Sequence, residues 1–148
     1  MKTLIAILIL ASFLQSTILP INLVLIILIC RAYIKAEKSN LYLAFTFGLF
    51  ISHLNLDPLG LQSVVYLLIV QITQGLSRSP FATNYLTIVP ISFILLSLNK
   101  ATVWLITQHS FELMPQVLLE SLLSLPILYL VRIWEERFVA RKDIKLKV

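Results

Sequence analysis

From Thr3 to Cys30 the chain carries no charged residue. Wound into one α-helix, that run would be about 42 Å long at 1.5 Å per residue, too long for a hydrocarbon core of about 30 Å unless strongly tilted. Pro20, with Asn22 just beyond it, divides the run into two shorter helices. Only 13% of the 148 residues are charged and 59% are hydrophobic, and the mean hydropathy is +0.94. A water-soluble domain of this size would have too little polar surface to cover itself. The apolar runs are long and leucine-rich, without the ten-residue alternation and frequent turns of a membrane barrel. The expected fold class is therefore all-α, a polytopic membrane helix bundle in a single domain.

Six transmembrane helices are expected, at about 3–19, 21–34, 40–54, 58–76, 81–107 and 114–134, followed by a short basic tail over 135–148. The second is the shortest and must borrow Arg31 to Ile34 to reach a plausible length. Five spans result if the first two merge. Pro90 falls inside the fifth span, where a kink is expected, and Pro126 inside the sixth. Met1 and Lys2 before an apolar run resemble the start of a signal peptide, but no small-x-small cleavage site follows and the apolar character resumes after Asn22. With six spans, Lys2, the cluster of Arg31, Lys35 and Lys38, Arg78 and the tail all lie on one side. The connectors on the other side, Asn55 to Asp57 and Gln108 to Glu112, contain no lysine or arginine. Short basic loops stay in the cytoplasm, so both termini are expected there. Trp134, Tyr33 and Phe138 sit where interfacial aromatics belong.

The sharpest interruption lies between Ala44 and Gln62. Ala44, Gly48 and Ser52 recur every four residues, a ridge of small side chains along which another backbone could approach closely. Asp57-Pro58 then breaks the helix, and Pro58 suits the first position of a new one. Gly60 follows in the same turn.

Two charges lie within spans rather than at their ends, Lys100 and Glu120. An ionisable group at that depth costs about 2.5–3.5 kcal/mol on insertion scales and normally finds a partner. Both lie about 10 Å below the outer ends of adjacent antiparallel helices, so the two can meet, either as a structural ion pair or as a polar switch. His53 with Asp57, and His109 with Glu112, lack any motif that would make them metal ligands. Gln71, Thr73 and Gln74, and Ser121 with Ser124, read either as the lining of a cavity or, as is more usual for such residues, as interhelical hydrogen-bond glue. Cys30 is the only cysteine, which excludes an internal disulfide. No nucleophile elbow, phosphate loop, zinc-type HExxH or dinucleotide fingerprint occurs. No enzyme activity, cofactor, metal or small-molecule substrate is expected. Nucleic acid is not expected either, because the basic residues are spent on loops and tail.

Several of these residues have a family likeness. A first helix ending Leu14-Gln15-Ser16-Thr17-Ile18-Leu19-Pro20, a third helix carrying Gly48, a turn reading Asp57-Pro58-Leu59-Gly60 and a last helix opening Pro115-Gln116-Val117 together resemble the MreD family of bacterial rod-shape-determining membrane proteins. Gly48 and Gly60, twelve residues apart, are the most specific part. Members commonly have an aspartate where this chain has Ser52, and an asparagine in the last helix where Ser124 stands. The resemblance implies a scaffold of the cell-elongation machinery, associating with MreC-like and MreB-like proteins and, through them, with RodA and a penicillin-binding transpeptidase. The alternative is the substrate-binding membrane subunit of an energy-coupling-factor vitamin importer, which has a similar size and six-helix plan. Such subunits often carry Ala-x-x-x-Ala on the first helix, whereas Ala6 and Ala11 stand five apart. A polar cavity near Lys100 and Glu120 would favour the importer, and a packed bundle with an exposed apolar groove the scaffold.

Overall fold

The computed structural model describes residues 2–18, 20–80, 84–107 and 114–138. Within them the chain is all-helical, with six α-helices: α1 (Lys2–Thr17), α2 (Leu23–Ile34), α3 (Lys38–Leu54), α4 (Leu61–Ser77), α5 (Ile88–Thr107) and α6 (Met114–Phe138). A 3₁₀ turn, Tyr85–Thr87, leads into α5.

Helix α2 is the centre. Its sequence has no polar stripe, and a helix that is apolar all round is stable only when enclosed. From Val24 to Tyr33 every residue except Ile27 is buried. The other five helices stand around it in the order α1, α3, α4, α5, α6, each touching α2 and its neighbour in the ring. The ring is least closed between α6 and α1. There, Leu4, Ile7, Ile27, Ile127, Val131 and Trp134 line an apolar groove of about 320 Å³. At twelve residues α2 is only about 18 Å long.

The helices alternate in direction, which gives the bundle two unlike ends. At one, here called the basic end, the start of α1 meets the end of α6 along the groove just described. The end of α4 is tied there to the start of α3 by Gln74 Nε2, which donates to the Glu37 carbonyl at 2.8 Å. At the far end, α1 turns into α2, α3 into α4, and α5 approaches α6.

The turn from α3 to α4 is built from backbone hydrogen bonds. Asn55 N–H donates to the Ile51 carbonyl at 2.9 Å and Asp57 N–H to the Ser52 carbonyl at 3.0 Å, closing α3 around Leu56, whose φ is 57°. Left-handed backbone at this position is the usual way to end a helix, though glycine normally supplies it. The sequence places the start of the next helix at Pro58, but α4 begins at Leu61. The reason is Gly60, whose φ of 92° cannot continue an α-helix. Pro90 also departs from expectation. It falls in the first turn of α5 rather than mid-helix, where a missing N–H breaks no bond. Helix α6 runs one turn past the expected end at Trp134, through Glu135, Glu136 and Arg137.

The glycines offer a direct comparison. A side chain at Gly60 meets open space, but the left-handed backbone disfavours it by about 1–2 kcal/mol. Gly75 is helical and also open. Gly60→Ala is therefore expected to destabilise the protein by about 1 kcal/mol, and Gly75→Ala to stabilise it by about 0.5–1 kcal/mol. Thermal unfolding of the two variants in one detergent checks the opposite signs.

The outward surface is apolar. The stretches Tyr85–Ile106 and Pro115–Arg137 are long and apolar enough to cross a membrane, and only 28% and 33% of their most apolar windows are buried within the fold. The core helix of a water-soluble domain would be mostly enclosed. Here Ile94, Leu105, Leu122, Tyr129 and Leu130 all point outward, more contiguous apolar surface than water normally tolerates.

Candidate functional site

The far end encloses a polar cluster around Glu120, a residue with no exposed surface. Its Oε1 lies 3.6 Å from Lys100 Nζ and accepts the backbone N–H of Asn22 at 3.2 Å. Asn22 opens α2, and its own side chain caps nothing within that helix. The amino end of α2 is capped from other helices instead. Gln15 of α1 accepts the Val24 N–H through Oε1 at 3.3 Å, and its Nε2 donates to Asn22 Oδ1 at 3.3 Å. The first N–H groups of a helix have no acceptor within it and carry a partial positive charge. A carboxylate there satisfies both conditions. Lys100, half-buried, has a second partner in Gln116 Oε1 at 2.7 Å. Lys100 and Glu120, the two charges noted within apolar stretches of the sequence, are thus brought together, and what they hold in place is the start of the central helix.

Tyr66 of α4, fully buried, lies beside Gln15 and within electrostatic reach of Glu120 and Asp57. Further buried oxygens stand at this end, among them Ser52 Oγ, Ser63 Oγ, Asn99 Oδ1 and Glu120 Oε2, and none of these has a hydrogen-bond partner among the described residues.

Ala44, Gly48 and Ser52 are all buried on the face of α3 that meets α4. At Gly48 the two backbones nearly touch. A Cβ there would lie 2.5 Å from Ser63 Cα, 2.7 Å from Ser63 N and 2.9 Å from the Gln62 carbonyl carbon. The partner across the contact, Ser63, is itself small and fully buried. Asp57 accepts from Gln62 Nε2 at 3.3 Å, bracing the turn that contains the exposed Pro58 and the half-buried Gly60. The six residues from Ala44 to Gly60 form one hairpin, and Lys100 with Glu120 a separate cluster on the α5–α6 side.

At the basic end the charges form a knot between α2, α3 and α6. Glu37 bonds Lys35 at 2.7 Å and lies 3.6 Å from Arg31, while Lys35 lies 3.6 Å from Glu135 of α6. Arg31 is buried and the rest are partly in solvent. The Lys35 hydrogen bond is the main cause holding the Glu37 carboxyl below its ordinary value, and the same bond raises the Lys35 ammonium above its own. A lowered carboxylate value stabilises the fold above the unfolded value of 4.5 and ceases to do so as pH falls through the folded one. A raised ammonium value stabilises below 10.5 and is lost as pH rises through the folded one. Between pH 7 and pH 3 the melting temperature of the wild type is therefore expected to fall further than that of Glu37→Gln. Parallel curves would show that the bond contributes nothing. The difference should be modest, because both side chains are about 40% exposed, at 41% and 39%.

The remaining polar residues join helices. Ser92 Oγ of α5 donates to Ser124 Oγ of α6 at 3.0 Å, and the Cys30 thiol donates to the Ser124 carbonyl at 3.4 Å. Thr73 bonds its own helix and Gln71 faces outward. His53 is exposed, while His109 and Glu112 lie outside the described residues. Among the described residues no group of three or more potential ligands could hold a metal ion.

The sequence reading did not single out Gln15 and Asn22 as parts of the polar cluster. Both flank Pro20 in an otherwise apolar run, and polar residues on either side of a helix break stand at the same depth, a signal that was legible. Glu135 as a partner for Lys35 had no such signal, since the two are a hundred residues apart. No family model, curated protein or solved structure matches this chain.

Proposed function

We propose that this protein is a six-span bacterial inner-membrane bundle, with both termini cytoplasmic, that serves as a scaffold of the cell-shape machinery in the manner of the MreD family. The carrying observation is the α3–α4 hairpin. Both glycines of the resemblance sit at positions that accept little else, Gly48 against the Ser63 backbone and Gly60 at a φ of 92°. A motif spaced by such constraints is a signature of this hairpin rather than of composition.

Charge supports the membrane reading. Among the described residues, Lys2, Arg31, Lys35, Lys38, Arg78, Arg132 and Arg137 lie towards the basic end, and only Lys100 lies towards the other. That division suits a basic end in the cytoplasm. In a bilayer the shortness of α2 is no obstacle, because protein and not lipid surrounds it. Glu120 and Gln15 are engaged in holding the start of α2, and the surface grooves beside α1 are apolar. Both features suit a protein that binds other proteins in the membrane better than one that carries a vitamin.

The partners proposed are MreC-like and MreB-like proteins, with RodA and a penicillin-binding transpeptidase reached through them. Copurification from native membrane tests this. MreC-like and MreB-like proteins should be recovered with the chain, whereas importer ATPases recovered without any MreC-like protein would overturn the proposal.

A further inference from the structure

A second groove runs along the outside of the bundle between α1 and α3. Ile5 and Ile9 form one wall, and Tyr42, Thr46, Phe47 and Phe50 the other, around about 510 Å³ of space. Ser39 lines its mouth at the basic end. The far end is closed by Phe50, whose ring meets Phe13 edge-on at 6.0 Å and Phe47 at 6.4 Å. From Ser39 to Phe50 the groove is about 16 Å deep at 1.5 Å per residue. That is close to half of a hydrocarbon core of about 30 Å, the depth of one leaflet.

Two lysines flank the mouth. Lys2 lies one turn before Ile5 on the same face of α1, and Lys38 immediately precedes Ser39. Both are exposed, and neither makes an ion pair among the described residues. Glu37, the acid next to Lys38 in sequence, already faces Lys35, Arg31 and the Ser39 hydroxyl. A narrow apolar slot one leaflet deep, opening between two unpaired ammonium groups, matches a particular molecule.

We infer that this groove holds one anionic phospholipid of the inner leaflet, with an acyl chain against Ile5, Ile9 and Phe47 and the phosphate between Lys2 and Lys38. The inference rests on the membrane reading above. The long stems of the lysines pack along the apolar walls while their ammonium groups stay at headgroup level. A bound anionic lipid would also tether α1, the helix flanked by both grooves.

The full chain, purified in a neutral detergent, is titrated with phosphatidylglycerol and with phosphatidylcholine of the same acyl chains, and binding is read by native mass spectrometry and melting temperature. Phosphatidylglycerol is expected to bind at least tenfold more tightly. The double variant Lys2→Gln, Lys38→Gln should bring it down to the level of phosphatidylcholine, and Thr46→Trp, which fills the groove, should weaken both. Equal binding of the two lipids by the wild type would overturn the inference. So would a preference that survives the double lysine variant, or stabilisation by inorganic phosphate equal to that by the lipid. Carbonate extraction of cell membranes separates this from the larger reading: a chain released by carbonate undoes the membrane assignment, whereas a retained chain without lipid preference undoes only the lipid site.

Discussion

Gly48→Leu is expected to force α3 and α4 apart and to lower the melting temperature in detergent more than any other single change in that hairpin. The reason is geometric. Even the first carbon of a side chain would lie 2.5 Å from Ser63 Cα, and the atom in the way is backbone, which cannot rotate aside as the end of a lysine can. Overpacking of a well-filled core costs about 1–3 kcal/mol and occasionally more, so Gly48→Ala should already cost an amount in that range and Gly48→Leu more. The damage should be local in origin and global in effect, because the hairpin also presents Ser52, Gln62 and Ser63 to the interior, all buried. Unchanged thermal stability of Gly48→Leu would show that the two helices do not cross at this point. A companion change, Ser63→Ala, preserves the close approach and should be nearly neutral, since that hydroxyl has no hydrogen-bond partner among the described residues.

The second large effect concerns Lys100 and Glu120, and its signature is non-additivity. Removing one member of a buried ion pair costs about 3–5 kcal/mol because the other is left uncompensated. Lys100→Met leaves a carboxylate with no exposed surface beside the amino end of α2. Glu120→Ala leaves Lys100 with Gln116 and some access to water, but uncaps the Asn22 N–H. Each single change should therefore be severe for a different reason. The double change Lys100→Met, Glu120→Ala removes both charges and should cost clearly less than the sum. A double-mutant cycle on unfolding in detergent measures the coupling, and additive losses would show that the two residues act independently. Gln15→Ala should reproduce part of the Glu120→Ala loss, since it removes a second cap from the same helix end.

What the amino-acid sequence determined by itself was the kind of fold and the sites of its breaks. A charge-free run from Thr3 to Cys30, and long apolar stretches after it, leave helices as the only element that can satisfy the backbone in apolar surroundings. Proline and glycine then mark the ends, because their effect on φ and on the N–H group is local and independent of context. The small-residue spacing of Ala44, Gly48 and Ser52 and the depth of Lys100 and Glu120 are likewise countable along one helix. Even here the local rule had a limit. Pro58 is permitted to start a helix, but the left-handed Gly60 two residues later defers the start to Leu61.

Only the tertiary structure decided which helix lies at the centre and what each polar group is for. Periodicity shows that α2 has no polar face, but not that five other helices enclose it. Glu120 and Asn22 are ninety-eight residues apart, and no rule of local spacing joins a carboxylate in the last helix to the first N–H of the second. Ser63 looks unremarkable in sequence, and matters because Gly48 brings a neighbouring backbone onto it. The same is true of the groove beside α1: Ile5 and Tyr42 become one surface only when two helices with no short connection are set side by side. Such contacts depend on how the helices are arranged around one another, which local patterns of hydrophobicity and turn chemistry do not encode.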